Sequence, residues 1–312
     1  MRFILPALFV TISLAAAGCE PRAPVQASKD AVAKRDFAAT EAEWRDARRD
    51  GLLAPDGWTS LVGLHWIDPG SHDVGSAPGN GIRLAMGPPR LGMLALEDGS
   101  VRFTPDPAAT VSIDGEAATG DVALRTDGDP AGPSAIAFDA GKGKATVIER
   151  AGRLALRVRH ADAPTRVQFA GLDYWPADTA WVVAGHFVPH PPGKTLEIAS
   201  IIGNVDKVAN PGAIEFTRDG KTFRIEALDE GEDTLFLVFA DRTNGHGSYG
   251  AGRFLDVARP DAQGNVQVDF NHAYNPPCAF TPFATCPLPP PENRLDLSIT
   301  AGEKADRKSP HS

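Results

Sequence analysis

One segment of the chain, residues 269–304, concentrates side chains that can carry out acid–base, nucleophilic or anion-binding chemistry. It offers two carboxylates as general bases, one thiol as a nucleophile and two amides that can hold an anion or oxyanion. The carboxylates belong to Asp269 and Glu303, the thiol to Cys278, and the amides to Asn271 and Asn293. The segment contains several prolines, each of which fixes its own φ angle and lacks a backbone N–H donor. The stiff, polar segment is therefore the first candidate site.

The two cysteines of this segment, Cys278 and Cys286, allow three interpretations. Two thiols in an oxidising compartment favour a disulfide, and closing this short loop would contribute about 2.5 kcal/mol by the chain-entropy model. The second interpretation is a metal site, although zinc usually takes four ligands and no second cysteine pair accompanies this one. The third is a catalytic thiolate at Cys278, which needs a nearby His or Arg to lower the thiol pKa. Of the three, the disulfide is the prediction.

A second candidate segment carries Tyr249 and Arg253 in a glycine-rich stretch that begins at Thr243. One interpretation is that Arg253 binds an anionic ligand with two parallel hydrogen bonds. The other is that the stretch is a glycine-rich hairpin without a ligand. The stretch also contains the pattern G-x-G-x-x-G, but that pattern binds dinucleotides only when a helix follows it. The residues after Arg253 have the pattern of a strand, so we expect neither nucleotide binding nor any other cofactor.

Both segments resemble the bacterial and archaeal family known as domain of unknown function 1684. The stretches that carry the resemblance are Gly57–Trp58, Leu61–Trp66, Tyr249–Leu255, Asn275–Phe280, Cys286–Pro290, Glu292–Leu295 and Ala301–Lys304. The proline–cysteine stretch is the most specific of them. The resemblance implies no established activity, and so it marks positions without assigning chemistry to them.

The N-terminal residues have the composition of a bacterial signal peptide. Arg2 supplies positive charge, and residues 3–17 form an uncharged, mainly apolar run that is too short to span a membrane comfortably. The ending Ala16–Cys19 resembles a lipobox, which predicts cleavage before Cys19 and lipidation of its thiol. Glu20 is not the aspartate that retains many lipoproteins in the inner membrane. We therefore expect an outer-membrane lipoprotein that faces the periplasm, with a secreted protein as the alternative.

Composition excludes several classes of protein. The chain has 312 residues, a formal net charge of −9, 42% hydrophobic residues, 31 Gly and 27 Pro. An ordinary apolar fraction excludes a wholly disordered chain. The acidic balance argues against a nucleic-acid partner, because such proteins usually present a basic face. Many glycines and prolines favour short strands and turns over helix bundles.

Short strands must therefore position the candidate residues. Apolar and aromatic runs predict strands at residues 58–67, 91–96, 154–160, 181–188 and 235–239. Asp-Gly pairs predict tight turns at residues 98–99, 114–115 and 219–220. Thr40–Glu43 has the pattern of a capping box, which predicts a helix from about Glu41 to Asp50.

We expect an all-β protein with mainly antiparallel strands, sandwich-like or barrel-like, with one N-terminal helix and two lobes. The predicted divisions are a signal peptide at 1–18, a flexible tether at 19–36, a helix with the first lobe at 37–130, a second lobe at 145–304 and a disordered tail at 305–312. Gly70–Leu84 resembles the opening strands of a forkhead-associated β-sandwich. The arginine that reads phosphothreonine is absent there, so this likeness concerns the fold alone.

Three functions are compatible with these residues. The preferred one is a lipid-anchored periplasmic protein with a binding or structural role, whose expected partner is the membrane, through Cys19. The alternative is a hydrolase for a small or anionic substrate, with its pocket between the Arg253 segment and the segment from Asp269 to Glu303. That hypothesis requires the candidate side chains to converge in one concave site. The third is a metal-dependent site that uses the thiols and a histidine; no metal ligand is predicted.

Overall fold

The computed structural model describes residues 24–305, with side chains described from Arg35 onwards. The signal peptide, Cys19 and nearly all of the tail predicted from residue 305 lie outside the described residues. Within the described part of the chain, no helix is both long enough and apolar enough to cross a membrane.

Helix α1 spans Pro24–Leu53, which is longer at both ends than predicted. It replaces the later part of the predicted tether, and the proposed capping box at Thr40–Glu43 lies inside it. The alanines and lysines of its first half favour helix. Pro55 disfavours helical backbone angles in the residue before it, which explains why α1 ends at Leu53. Everything described below belongs to the compact unit that begins at Thr40.

Eighteen strands follow in the described residues, and all pair antiparallel except β2 with β3. In order they are Leu61–Trp66, Gly70–Gly75, Ile82–Arg83, Gly92–Glu97, Ser100–Pro105, Ser112–Ile113, Glu116–Ala117, Val122–Leu124, Ile136–Phe138, Gly143–Arg150, Arg153–His160, Val182–Pro189, Thr195–Ala199, Val205–Arg218, Lys221–Asp229, Thr234–Phe239, Arg253–Ala258 and Asn265–Asp269. A short helix, α2, spans Pro164–Val167 between β11 and β12. The predicted all-β class with an N-terminal helix is confirmed.

The strands form three sheets, and two of these sheets share one core. The first sheet has six strands in the order β1-β11-β10-β9-β6-β7, and the second has five in the order β3-β2-β4-β5-β8. Both contribute apolar side chains to one core, whose residues lie between Val62 and Ala163 in the sequence. We call β1 to β11 the first β region. The third sheet orders as β17-β16-β15-β14-β12-β18, with β13 beside β14, and is barrel-like. We call β12 to β18, with the C-terminal segment 270–305, the second β region.

The change between the two β regions comes later in the chain than the sequence suggested. Residues 131–144 were the expected boundary, but β9 and β10 pair there and belong to the same sheet as β1. The first core ends at Ala163, and the next core begins at Trp181. The boundary therefore follows β11, because β1 pairs with that distant strand and holds it in the first β region.

The Asp-Gly turns form as predicted. Asp98, Asp114 and Asp219 have φ of 51°, 54° and 51°, and each is followed by a glycine with positive φ. They connect β4 to β5, β6 to β7 and β14 to β15. Two successive residues at positive φ make a type I′ turn, whose twist matches that of the paired strands.

Candidate functional site

Strand β11 presents arginines on the face that points away from the first core. Leu156 and Val158 are buried in that core. Side chains alternate along a strand, so Arg157 and Arg159 point to the opposite side. Their guanidinium carbons lie 5.7 and 5.6 Å from the centre of the Trp58 ring, within the range of a cation–π contact. The strand thus carries a row of positive charge on its outer face.

A cavity of about 600 Å³ adjoins this face, and both β regions contribute to its walls. The first region supplies Arg157 and the turn from β10 to β11. The second supplies strands β13, β14, β16 and β17 and part of the C-terminal segment, including Tyr274 and Cys286. This volume is in the range of pockets that hold small molecules.

Arg157 is a buried positive charge in the cavity wall. It is 7% exposed, its Nη2 lies 3.4 Å from Thr285 Oγ1, and its Nε has no hydrogen-bond partner. Burial and the neighbouring Arg150 and Arg159 lower the pKa of Arg157 to about 10. Arg150, by contrast, pairs with Asp127 at 2.7 Å. In the described part of the chain, no carboxylate lies within ion-pair distance of Arg157.

An apolar wall adjoins this charge. Ile198 and Val208 line the cavity from β13 and β14, and Phe236 and Phe254 line it from β16 and β17. The rings of Phe236 and Phe254 meet edge to face with their centres 4.9 Å apart. Such packing makes a firm surface for the hydrophobic part of a ligand.

Acidic groups occupy another part of the wall. The hydroxyl of Tyr274 donates a 2.9 Å hydrogen bond to Asp256 Oδ2. Both Asp256 and Glu230 are exposed to the cavity, yet the surrounding protein desolvates them and raises the pKa of each. The charge of Asp256 raises the pKa of Glu230 further. The sequence analysis did not identify either acid as a site residue. For Asp256, the available signal was a single acidic residue among the apolar residues of β17.

Arg253 does not form the predicted anion clamp. It is fully buried, and its Nη2 donates to Asp241 Oδ2 at 2.6 Å and to the Ile299 carbonyl at 3.0 Å. Its Nη1 donates to the Ala301 carbonyl. These bonds fasten the C-terminal segment to β17, and complete burial keeps the guanidinium out of reach of a ligand. Tyr249 is also buried, and its hydroxyl donates to the Cys278 carbonyl at 3.3 Å.

The two predicted ligand-binding asparagines are likewise committed to the framework. Asn293 is fully buried and makes three hydrogen bonds of 2.7–2.9 Å, two to the backbone of Glu226 in β15 and one to the Val238 carbonyl in β16. Asn271 holds both backbone groups of Asp178 at 3.0 Å. A side-chain amide can satisfy a donor and an acceptor at once, which suits both positions.

The two candidate general bases have different surroundings. Glu303 is fully buried; its Oε1 accepts from Arg48 Nε at 2.8 Å and its Oε2 from the Asn275 N–H at 2.7 Å. It ties α1 to the C-terminal segment and has no oxygen left for a substrate proton. Asp269 is half-buried, and its Oδ1 accepts two hydrogen bonds from Asn271. Ligand atoms of Glu41, Asp269 and His272 lie within 4.8 Å of one another.

The predicted disulfide is not present in the structure. Cys278 and Cys286 are free, buried thiols, and the backbone N–H of Cys278 lies 3.1 Å from Cys286 Sγ. The hydrogen bond with Cys278 and burial raise the pKa of Cys286. Cys286 lines the cavity. In the described residues the thiols do not join a cluster of three metal-ligating side chains, as the third hypothesis required.

The candidate residues therefore do not converge in the cavity. Four of them make structural hydrogen bonds and do not line it: Arg253, Asn271, Asn293 and Glu303. The cavity takes its polar groups from other residues, of which Tyr274, Thr285 and Cys286 lie in the segment that the sequence singled out.

Comparison with known proteins agrees with the sequence resemblance. A family model described as "Protein of unknown function (DUF1684)" matches residues 167–304, a range that includes both the Tyr249–Leu255 stretch and the proline–cysteine stretch. The solution NMR structure of an uncharacterised protein of Haloarcula marismortui is 30% identical, with 46% of this chain and 80% of that chain covered and a TM-score of 0.38. No curated protein matches the chain. The resemblance to the DUF1684 family is thus confirmed over residues 167–304.

Proposed function

We propose that the protein binds a small amphipathic anion in the cavity between the two β regions. The observation that carries this proposal is the position of Arg157, a buried guanidinium in the cavity wall that has no carboxylate partner among the described residues. A buried charge is costly unless it is paired. A carboxylate, sulfonate or phosphate group on a ligand would supply the missing negative charge, and the planar guanidinium can bind it with two hydrogen bonds.

The rest of the wall defines the shape of the ligand. The apolar side chains of β13, β14, β16 and β17 suit a hydrophobic body next to the anionic group. Asp256 and Glu230 would repel a second negative charge. The favoured ligand therefore carries its charge at one end only.

We also propose that the mature chain is anchored through a lipid on Cys19 to the outer membrane, facing the periplasm. The support is the apolar run at residues 3–17, the small residues before Cys19 and Glu20 after it. Incorporation of labelled palmitate would test it. Cys19→Ser should abolish the label and move the protein out of the membrane fraction; a label that persists would contradict the proposal.

Ligand binding is tested with 8-anilino-1-naphthalenesulfonate, a fluorescent probe that has an aromatic body and one sulfonate. Arg157→Gln should weaken its binding about tenfold to a hundredfold, because a hydrogen bond to a charged group contributes roughly 1.5–3 kcal/mol. The matched control is Arg102→Gln, which removes an arginine that pairs with Asp121 at the surface. Equal affinity in both variants and the wild-type chain would refute the proposed anion site.

A hydrolase remains the second candidate, supported by different residues from those that the sequence suggested. Asp256 and Glu230 both face the cavity with raised pKa values. A carboxyl group with a raised pKa can act as a general acid while a neighbouring ionised carboxylate acts as a base. Hydrolysis of p-nitrophenyl acetate or phosphate that is lost in Asp256→Asn would favour this candidate. Undetectable hydrolysis by the wild-type chain would argue against it.

A further inference from the structure

We propose that Glu41, Asp269 and His272 form a binding site for one divalent transition-metal ion of the zinc type. The site lies where α1 meets the turn after β18, and none of its three residues lines the cavity.

Glu41 is a buried carboxylate with unsatisfied oxygens. The residue is 3% exposed, and neither Oε1 nor Oε2 has a hydrogen-bond partner. Arg45 Nη2 lies 3.6 Å from Oε2, which is beyond a normal hydrogen bond. Burying a carboxylate whose oxygens accept no hydrogen bond carries a cost in free energy. A cation bound at these oxygens would remove that cost.

His272 faces the same oxygens without a proper hydrogen bond. Its Nε2 lies 2.9 Å from Glu41 Oε1, yet neither atom has an aligned hydrogen-bond partner. Two ligands bound to one tetrahedral ion at about 2.0–2.1 Å stand about 3.3 Å apart. A side-chain movement of a few tenths of an ångström would therefore place both atoms at coordination distance from a common ion.

Asp269 supplies the third donor. Its Oδ1 is held by the N–H and the side-chain amide of Asn271 at 3.0 and 2.8 Å, which leaves Oδ2 for an ion. Hydrogen bonds of this kind orient a metal-binding carboxylate. One ligand atom of each residue lies within 4.8 Å of the other two, so small side-chain rotations bring all three to coordination distance.

The donor set indicates the class of metal. One imidazole with two carboxylates suits Zn²⁺, Mn²⁺ or Fe²⁺ better than Ca²⁺ or Mg²⁺, which prefer oxygen ligands alone. Three protein ligands leave at least one position for water, as in zinc sites that are not purely structural. The half-exposed Asp269 and His272 give that water access to solvent.

Trp44 holds the imidazole in place. Its ring stacks on His272 with centres 4.6 Å apart and planes 6° from parallel. Glu41 and Trp44 are three residues apart on α1 and so lie on the same face of the helix. One turn of α1 thus supplies both a metal ligand and the support for a second ligand.

The test uses the full chain, stripped with a chelator and titrated with Zn²⁺ by calorimetry. We expect one ion per chain and a rise in melting temperature on binding. Glu41→Gln, His272→Gln and Asp269→Asn should each weaken zinc binding at least tenfold. Asp269→Asn keeps the oxygen that accepts from Asn271, so it remains informative if the other two variants fold poorly. His246→Gln, which changes an exposed histidine, is the matched control and should bind as the wild-type chain does.

The two thiols are the main competitor for zinc, so the titration is repeated with Cys278→Ser and Cys286→Ser combined. Unchanged binding in that variant supports the Glu41–Asp269–His272 site. Binding that disappears with the thiols, or that survives all three ligand variants, would overturn the proposal. Failure of the stripped wild-type chain to bind zinc would also overturn it, and Glu41 with His272 would then be an ion pair that requires a protonated imidazole.

Discussion

The hydroxyl of Tyr274 donates a 2.9 Å hydrogen bond to Asp256 Oδ2, and through this bond the two sequence signatures meet at the cavity wall. Tyr274 precedes the proline–cysteine stretch, and Asp256 follows the glycine-rich stretch by one residue. The charged residue inside the glycine-rich stretch, Arg253, lies behind the wall. The groups that face the cavity are therefore neighbours of the residues that the sequence emphasised.

The raised pKa of Asp256 makes stability depend on pH in a defined direction. The native state holds the proton more tightly than the unfolded state, so the free energy of unfolding falls as pH rises above the usual aspartate range. Asp256→Asn removes this penalty and still accepts the Tyr274 hydrogen bond. We expect the variant to be more stable than the wild-type chain at pH 7, with the difference shrinking towards pH 4 in urea unfolding.

Asp261→Asn is the control, because its effect on stability should depend on pH in the opposite direction. Hydrogen bonds from Asn265 lower the pKa of Asp261, so this carboxylate stabilises the fold above the unfolded pKa and loses that effect as pH falls. Its replacement should destabilise the chain at pH 7 more than at pH 4. Identical pH profiles for the two variants would contradict the assigned environments.

The Arg253–Asp241 pair is expected to be a structural bond of the second β region. Both side chains are fully buried, with Nη2 and Oδ2 2.6 Å apart. Asp241→Asn leaves a buried guanidinium without its counter-ion, and such changes cost about 3–5 kcal/mol. Asp296→Asn, which removes an exposed partner of Lys221, should cost less than about 1 kcal/mol. Chemical denaturation measures both; equal losses would show that Arg253 is not held as described.

The thiols are expected to stay reduced. Cys286 Sγ accepts the Cys278 N–H, and both thiols are buried, which keeps oxidants and exchange partners away from them. A denaturing thiol titration of Cys19→Ser protein exported to a periplasm should find two free thiols. A count of zero would restore the disulfide that the sequence predicted.

Asn293 is expected to be essential for joining β15 to β16. Those strands pair at Leu228 and Phe236, and the Asn293 amide bonds both backbone groups of Glu226 and the carbonyl of Val238. Asn293→Ala leaves these groups unsatisfied, at roughly 1–3 kcal/mol each. Faster amide hydrogen exchange at Glu226 would accompany the loss of stability. Unchanged exchange there would argue against this role.

Local patterns predicted the local structure. The Asp-Gly turns could be predicted because two residues decide their geometry. The strand at residues 154–160 could be predicted because apolar and charged side chains alternate along it. The boundary between the β regions was missed because Leu61 pairs with Arg159, almost a hundred residues away. Arg253 and Glu303 were taken for ligand-binding and catalytic groups because their partners, Asp241 and Arg48, are equally invisible in a linear pattern. The cavity acids required the tertiary structure for the same reason.

Asn293 also sets an order of events in folding. Its amide completes hydrogen bonds to Glu226 and Val238, residues that leave the ribosome well before it does. Until residue 293 has been synthesised, those backbone groups lack their native partner. The second β region therefore cannot complete its native hydrogen bonds during synthesis of its own strands, and it does so only when the C-terminal segment arrives.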